Sequence, residues 1–135
     1  MEIYDNFGNL LGMYVSKESF TSGKKFLTSN ESEFQVGVFN LDQGEEIISH
    51  IHKDQKRNIV KTSEALTVIS GKLKVNFFDS NQKYLKSVEV SSGESIILVS
   101  GGHGIEIVEN SKFIEIKQGP YIEVNDKIRF YDTSF

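Results

Sequence analysis

The chain has 135 residues, of which 38% are hydrophobic and 25% charged, a composition that suits one soluble globular domain with a single core. The formal net charge of −4 argues against a nucleic-acid binder, because such proteins normally carry a basic surplus. No apolar run approaches the roughly eighteen residues that span a bilayer, and the start, MEIYDNFGNL, lacks the basic and apolar parts of a secretory signal. We therefore predict one domain over residues 1–135, in the cytoplasm, with neither a membrane nor a nucleic-acid partner.

Alternation of apolar and polar residues with period two dominates the chain and predicts β-strands. In chain order, the predicted strands are 33–41, 46–52, 65–79, 95–100, 104–110 and 112–117. Turn-forming residues separate these segments, among them Gly44, Gly71 and the pair Gly101 and Gly102. Apolar residues at helical spacing are missing over any three turns, so little helix is expected beyond a turn at 16–19. An all-β sandwich or barrel follows, with the jelly roll among its forms.

Two of the three histidines, His50 and His52, are separated by one residue. On a strand, residues i and i+2 point to the same face, so the two imidazoles would stand side by side. A strand can present two nitrogens to one metal ion in this way, although two exposed or core histidines have the same spacing. The chain contains no cysteine, so any metal would be bound by His, Asp or Glu, and a cysteine nucleophile is excluded.

The block from residue 44 to residue 71 resembles the first motif of the cupin family, G(X)5HXH(X)3-4E(X)6G. The matching positions are Gly44, His50, His52, Glu64 and Gly71. Eleven residues separate His52 from Glu64, where the family has three or four. If the extra residues form an outward loop, Glu64 begins the next strand. Without such a loop, the acidic position falls near Lys56 or Arg57, which cannot bind a cation.

The block from residue 93 to residue 107 resembles the second cupin motif, G(X)5PXG(X)2H(X)3N, in part. It keeps Gly93, Gly101 and His103. Val99 stands where proline is usual, Ile107 takes the place of asparagine, and one residue is missing before the histidine. The resemblance therefore covers residues 44 to 107, and all three histidines of the chain lie on motif positions.

Similarity to cupins implies a jelly-roll barrel whose mouth holds a metal ion, bound here by His50, His52, Glu64 and His103. Imidazole and carboxylate ligands suit a divalent transition metal such as Fe, Mn, Ni or Zn. Four protein ligands leave up to two positions open on an octahedral ion, as Lewis-acid catalysis or O₂ activation requires. The three histidines are also the predicted catalytic residues, because some metal-free sugar ketoisomerases of the cupin fold use histidines as bases.

Three further residues are predicted to contact a substrate. The insertion 53–63 carries four basic residues against the single acidic residue Asp54, and Arg57 and Lys61 within it could bind a phosphate or carboxylate. A solvated hairpin is the alternative interpretation of this segment. Tyr121 follows the turn QGP, and its phenol could act as an acid or orient a substrate. Packing in the core is the alternative for that side chain.

The sequence leaves three hypotheses for function. The first is an isomerase or epimerase, metal-dependent or metal-free, that acts on a sugar or nucleotide-sugar in polysaccharide biosynthesis. Residues 115–130, EIKQGPYIEVNDKIRF, are similar to the tail of small cupins that accompany surface-polysaccharide enzymes. The others are an Fe(II) dioxygenase and a module that binds a small ligand without turnover. Because cupins commonly pair through their sheets, we expect a homodimer, and the aromatic-rich end 128–135 packs on the barrel or on the second subunit.

Overall fold

The computed structural model describes residues 1–132, in which β-strands are almost the only regular secondary structure. The strands are β1 Glu2–Tyr4, β2 Leu10–Val15, β3 Gly23–Phe26, β4 Gly37–Asn40, β5 Glu64–Phe78, β6 Tyr84–Ser91, β7 Ser95–Leu98 and β8 Gly102–Lys117. Within residues 1–132, helical structure is confined to a 3₁₀ turn at Lys17–Ser19 and one turn of helix, α1, at Glu123–Asp126. The predicted all-β class with little helix is confirmed. Among the described residues, no helix is long and apolar enough to cross a membrane.

Strand β5 lies at the centre of the main sheet, in which neighbours follow the order β1-β2-β7-β5-β6. Its first part, 64–67, pairs with β7, and its second part, 72–78, pairs with β6. Strand β8 pairs with β5 along both parts. Strands β3 and β4 form a separate hairpin. All these pairs are antiparallel, as the short turns between strands predict.

The paired strands β5 and β8 form a ribbon that bends back on itself. Glu64 pairs with Lys117 at one end of the ribbon, and Phe77 pairs with His103 at the other. A straight ribbon would hold these ends about 40 Å apart, yet the side chains of Glu64 and His103 touch. The ribbon bends where its register shifts, around Gly71, whose φ is +87°. A side chain is disfavoured there, because a Cβ would also collide with the Asn110 carbonyl oxygen.

The hydrophobic core fills the space inside this bend. Its buried members are Ile3, Leu11, Leu66, Val68, Leu73, Val75, Phe77, Val88, Val90, Ile96 and Leu98. Residues directly opposite each other on antiparallel strands share a face of the sheet. His103 is opposite Phe77, and Ile105 is opposite Val75. The face of β8 that carries His103 therefore belongs to the core side of the ribbon.

Residues 41–62, which we call the arm, contain no helix or strand, and almost all of their side chains are exposed. The prediction of a strand at 46–52 is therefore wrong for the single chain. A strand without a neighbour leaves its backbone N–H and C=O groups without the hydrogen bonds of a sheet. Alternation in the sequence alone therefore does not produce a strand. The residues between His52 and Glu64 form an outward loop, and Glu64 begins β5. This is the arrangement expected if the extra residues of the first motif are a loop.

Candidate functional site

The Glu64 carboxylate and the His103 imidazole meet where the two ends of the bent ribbon come together. His103 Nε2 lies 2.7 Å from Glu64 Oε1. Only 11% of the Glu64 side chain is exposed, against 35% for His103. The pair therefore combines a largely buried carboxylate with an imidazole that solvent or a small molecule can reach.

The hydrogen bond from His103 is the main cause that lowers the pKa of Glu64 from 4.5 to about 2, and it outweighs the opposing effect of burial. At neutral pH the Glu64 carboxylate is therefore ionised and can only accept hydrogen bonds. The His103 Nε2 atom must then carry the proton of this bond. In the neutral ring, Nδ1 is left with a free lone pair, which makes it the basic nitrogen of the site.

A second carboxyl group, that of Glu115, lies close enough to Glu64 for each to shift the pKa of the other. This proximity and partial burial raise the pKa of Glu115, while nearby Lys117 opposes the rise. The Lys117 Nζ atom lies 3.7 Å from Glu115 Oε1. Two adjacent carboxyl groups whose pKa values move in opposite directions are typical of sites that divide the roles of base and acid.

Sequence reasoning passed over Glu115 and Lys117. The available signal was the alternation in KFIEIK, residues 112–117, which places both side chains on one face of the strand. Their register with β5 was not visible in that pattern. The ladder puts Lys117 opposite Glu64 and Glu115 opposite Leu66, on the core side of the ribbon.

Tyr121, which the sequence predicted as a substrate contact, lies beside Lys117. The Lys117 Nζ atom is 5.0 Å from the centre of the Tyr121 ring, within the range of a cation–π contact. The same Nζ atom is 3.7 Å from Asp126 Oδ2. Tyr121 is exposed, so it stands at the rim of the group formed by Glu64, Glu115 and Lys117.

His50 and His52 lie on the arm, and both are exposed. Their ring centres are 5.1 Å apart, although the segment is not the predicted strand, and His50 Nδ1 is 2.8 Å from the Ile48 carbonyl oxygen. They do not join Glu64 and His103, and within residues 1–132 no three His, Asp or Glu side chains form a group that could hold a metal ion. A single chain therefore does not assemble the predicted metal centre.

Arg57 and Lys61, the other predicted substrate contacts, lie in and beside two open grooves at the base of the arm. Arg57 lines a groove of about 460 Å³ together with Asn30 and Gln35. Lys61 lines a groove of about 410 Å³. Neither groove is lined by Glu64 or His103, so the structure does not bring these cations to the carboxylate–imidazole pair.

Comparison with known proteins gives no match to a family model, to a curated protein or to a solved structure. Membership of the cupins therefore remains a prediction from the two sequence blocks. The function has to be argued from the geometry of Glu64, Glu115, His103 and Lys117.

Proposed function

We propose that this protein is a cytoplasmic enzyme of the cupin type that moves protons on a small polar metabolite. In this proposal His103 is the general base, Glu64 holds its imidazole in the required tautomer, and Glu115 is the general acid. The observation that carries the proposal is the 2.7 Å contact between Glu64 Oε1 and His103 Nε2. A carboxylate bonded to one ring nitrogen is a common way to make the other nitrogen an oriented base.

The reaction class that suits this arrangement is isomerisation or epimerisation next to a carbonyl group. His103 Nδ1 removes a proton from the carbon beside the carbonyl, and the electron pair of that C–H bond forms a carbon–carbon double bond. The carbonyl oxygen takes a proton from Glu115, which gives an enol or enediol. For isomerisation, His103 gives its proton to the former carbonyl carbon, and Glu115 takes the proton of the neighbouring enediol hydroxyl, which becomes the new carbonyl group. For epimerisation, water on the opposite face gives a proton to the original carbon, the enol hydroxyl returns its proton to Glu115, and His103 loses its proton to solvent. Protons and electrons balance without a further reactant.

A sugar or nucleotide-sugar is the substrate class we propose. The apolar side chains of Ile105 and Phe113, on the core side of β8, offer a wall against which a sugar ring can lie. Lys117 and Tyr121 add a cation and a phenol at the rim. The similarity of residues 115–130 to the tail of cupins that accompany polysaccharide enzymes supports the same class.

Exchange of substrate hydrogen with deuterated water tests this proposal directly. The protein is incubated with a panel of keto sugars and nucleotide-sugars, and loss of the proton signal beside the carbonyl is followed by NMR. We expect His103→Ala to lower the exchange rate by roughly 10²- to 10⁴-fold, the range for removal of a general base. Glu115→Gln should also slow the reaction, because glutamine cannot donate the proton of a carboxylic acid.

A matched control is available on the same strand. Glu106 projects from the other face of β8, where its Oε1 atom accepts a 2.7 Å hydrogen bond from Asn76 Nδ2. Glu106→Gln should therefore leave exchange unchanged. Undiminished exchange in a folded His103→Ala variant would overturn the proposal. Stabilisation by a nucleotide-sugar with no exchange and no product would instead support a binding module without turnover.

A further inference from the structure

Strand β8 has a free edge and apolar side chains on both faces. Its neighbour in the sheet is β5, and the structure pairs no other strand with it among residues 1–132. On the core side, Ile107 is 57% exposed, and on the other side Ile116 is 58% exposed. Ile114 and Phe113 are exposed in the same way, one on each face. A strand that is apolar on both faces is typical of one that is covered on both sides.

The arm has the complementary property, because its residues 46–52 alternate in sequence like a strand but have no neighbouring strand. Ile47, Ile48, Ile51 and Val60 are all exposed on it, and Ile51 is 93% exposed. The base of the arm is tied to its own chain through Glu33, whose carboxylate accepts hydrogen bonds from the backbone N–H groups of Val60 and Lys61. The rest of the arm lies away from the two sheets, and its side chains remain exposed.

The exposed area of the chain shows how much surface is available for a partner. The chain exposes 10114 Å², whereas a compact monomer of 15.3 kDa is expected to expose about 7,150 Å². The excess is therefore about 3,000 Å² for each copy. An obligate homodimer interface buries about 2,000 to 5,000 Å² in total or more, so a second copy can account for this surface.

We propose that two copies of the chain exchange arms. The arm of each copy adds as a strand to the free edge of β8 in the other copy, with His50 and His52 on the face that carries His103. Each functional site then combines Glu64 and His103 of one copy with His50 and His52 of its partner. The exchange brings His50 and His52, which one chain holds apart from Glu64 and His103, to that pair, so that the four predicted metal ligands meet. It rests on the proposed function only in taking Glu64 and His103 as the site.

The absence of native cysteine makes disulfide trapping a clean test. When His50 and His52 face the core side, Ile51 faces the side of β8 that carries Glu106. One batch of chains carries Ile51→Cys, and a second batch carries Glu106→Cys. The batches are mixed, unfolded together, refolded and oxidised. We expect a disulfide-linked dimer that contains one chain of each kind, identified by mass spectrometry.

Phe7→Cys serves as the control, because Phe7 is a comparably exposed apolar residue in the turn between β1 and β2. It should not form the mixed disulfide with Ile51→Cys. A chain that carries both Ile51→Cys and Glu106→Cys reports the alternative arrangement, in which the arm pairs with β8 of its own chain. An intrachain disulfide in a protein that sediments as a monomer would overturn the exchange.

Complementation separates the exchange from the proposed chemistry. Chains with His50→Ala and His52→Ala are mixed with His103→Ala chains and refolded. In the exchanged dimer, half of the molecules are mixed and each has one intact site, so roughly a quarter of wild-type sites return. Recovery of bound transition metal to that level, measured by elemental analysis, supports the exchanged arm, because each batch alone lacks part of the predicted ligand set. Mixed disulfide dimers that catalyse no hydrogen–deuterium exchange on any substrate would support the swap of arms between copies and count against the proposed enzyme.

Discussion

Replacement of Glu64 by glutamine removes the charge that His103 binds while the size of the side chain is kept. The fall of the Glu64 pKa from 4.5 to about 2 corresponds to an upper limit of about 3.4 kcal/mol of folding free energy. Because 35% of the His103 side chain is exposed, solvent screens the contact. We therefore expect Glu64→Gln to lower the free energy of unfolding at pH 7 by about 1 to 2 kcal/mol.

The pH dependence of this loss follows from the direction of the pKa change. Glu64 has a lower pKa in the folded chain than in the unfolded one, so its contribution is fully present above pH 4.5. The contribution is lost as the pH falls from 4.5 toward about 2, where the carboxylate takes up a proton in both states. The wild type and Glu64→Gln should therefore differ in stability at pH 7 and converge near pH 2.

Urea unfolding followed by circular dichroism at several pH values between 7 and 2.5 measures this difference. Glu106→Gln is the matched control, since Asn76 and Lys74 also lower the pKa of Glu106, whose side chain is 52% exposed. That variant should show a smaller difference at every pH. An equal loss for Glu64→Gln at pH 7 and pH 3 would refute the assignment of the stabilisation to the ionised carboxylate.

Three further outcomes are expected. Gly71→Ala should lower the urea midpoint, with a cost of at least about 1 to 3 kcal/mol, because alanine is strained at positive φ and its Cβ meets the Asn110 carbonyl oxygen; an unchanged midpoint would contradict the bend at this residue. Phe77→Ala should cost about 3 to 5 kcal/mol, because the side chain is fully buried; a loss below 1 kcal/mol by the same assay would contradict the core assignment. In the exchanged dimer, where the four predicted ligands meet, His50→Ala and His103→Ala should each strip most bound transition metal from the purified protein in elemental analysis while the chain stays folded; unchanged metal content in either variant would remove that residue from the ligand set.

The fold class was predictable because burial on one face of a sheet imposes period two on the sequence. That period located β7 and most of β5 and β8. It gives the direction in which side chains point and says nothing about the partner strand. The segment 46–52 therefore alternates without being a strand in the single chain. The same limit explains why 104–110 and 112–117, predicted as two strands, are one strand, β8.

Part of the site was predictable for a different reason. The motif spacing selected Glu64 and His103, and the structure joins them at 2.7 Å. It could not select Glu115, because that residue lies outside both blocks and reaches the site through its register with β5. The position of the arm depends on contacts that one copy of the sequence does not specify, so the relation of His50 and His52 to the pair could not be derived.

A short connection in the chain, rather than the long ribbon, fixes the distance between Glu64 and His103. Glu64 pairs with Leu98 across β5 and β7, and His103 follows five residues later. The chain must reverse its direction between Leu98 and His103, and it turns at Gly101, whose φ is +71°. A Cβ at this position would collide with the Phe78 carbonyl oxygen. The glycines before His103 therefore position the base of the proposed reaction, since only a residue without a side chain permits this approach of the two strands.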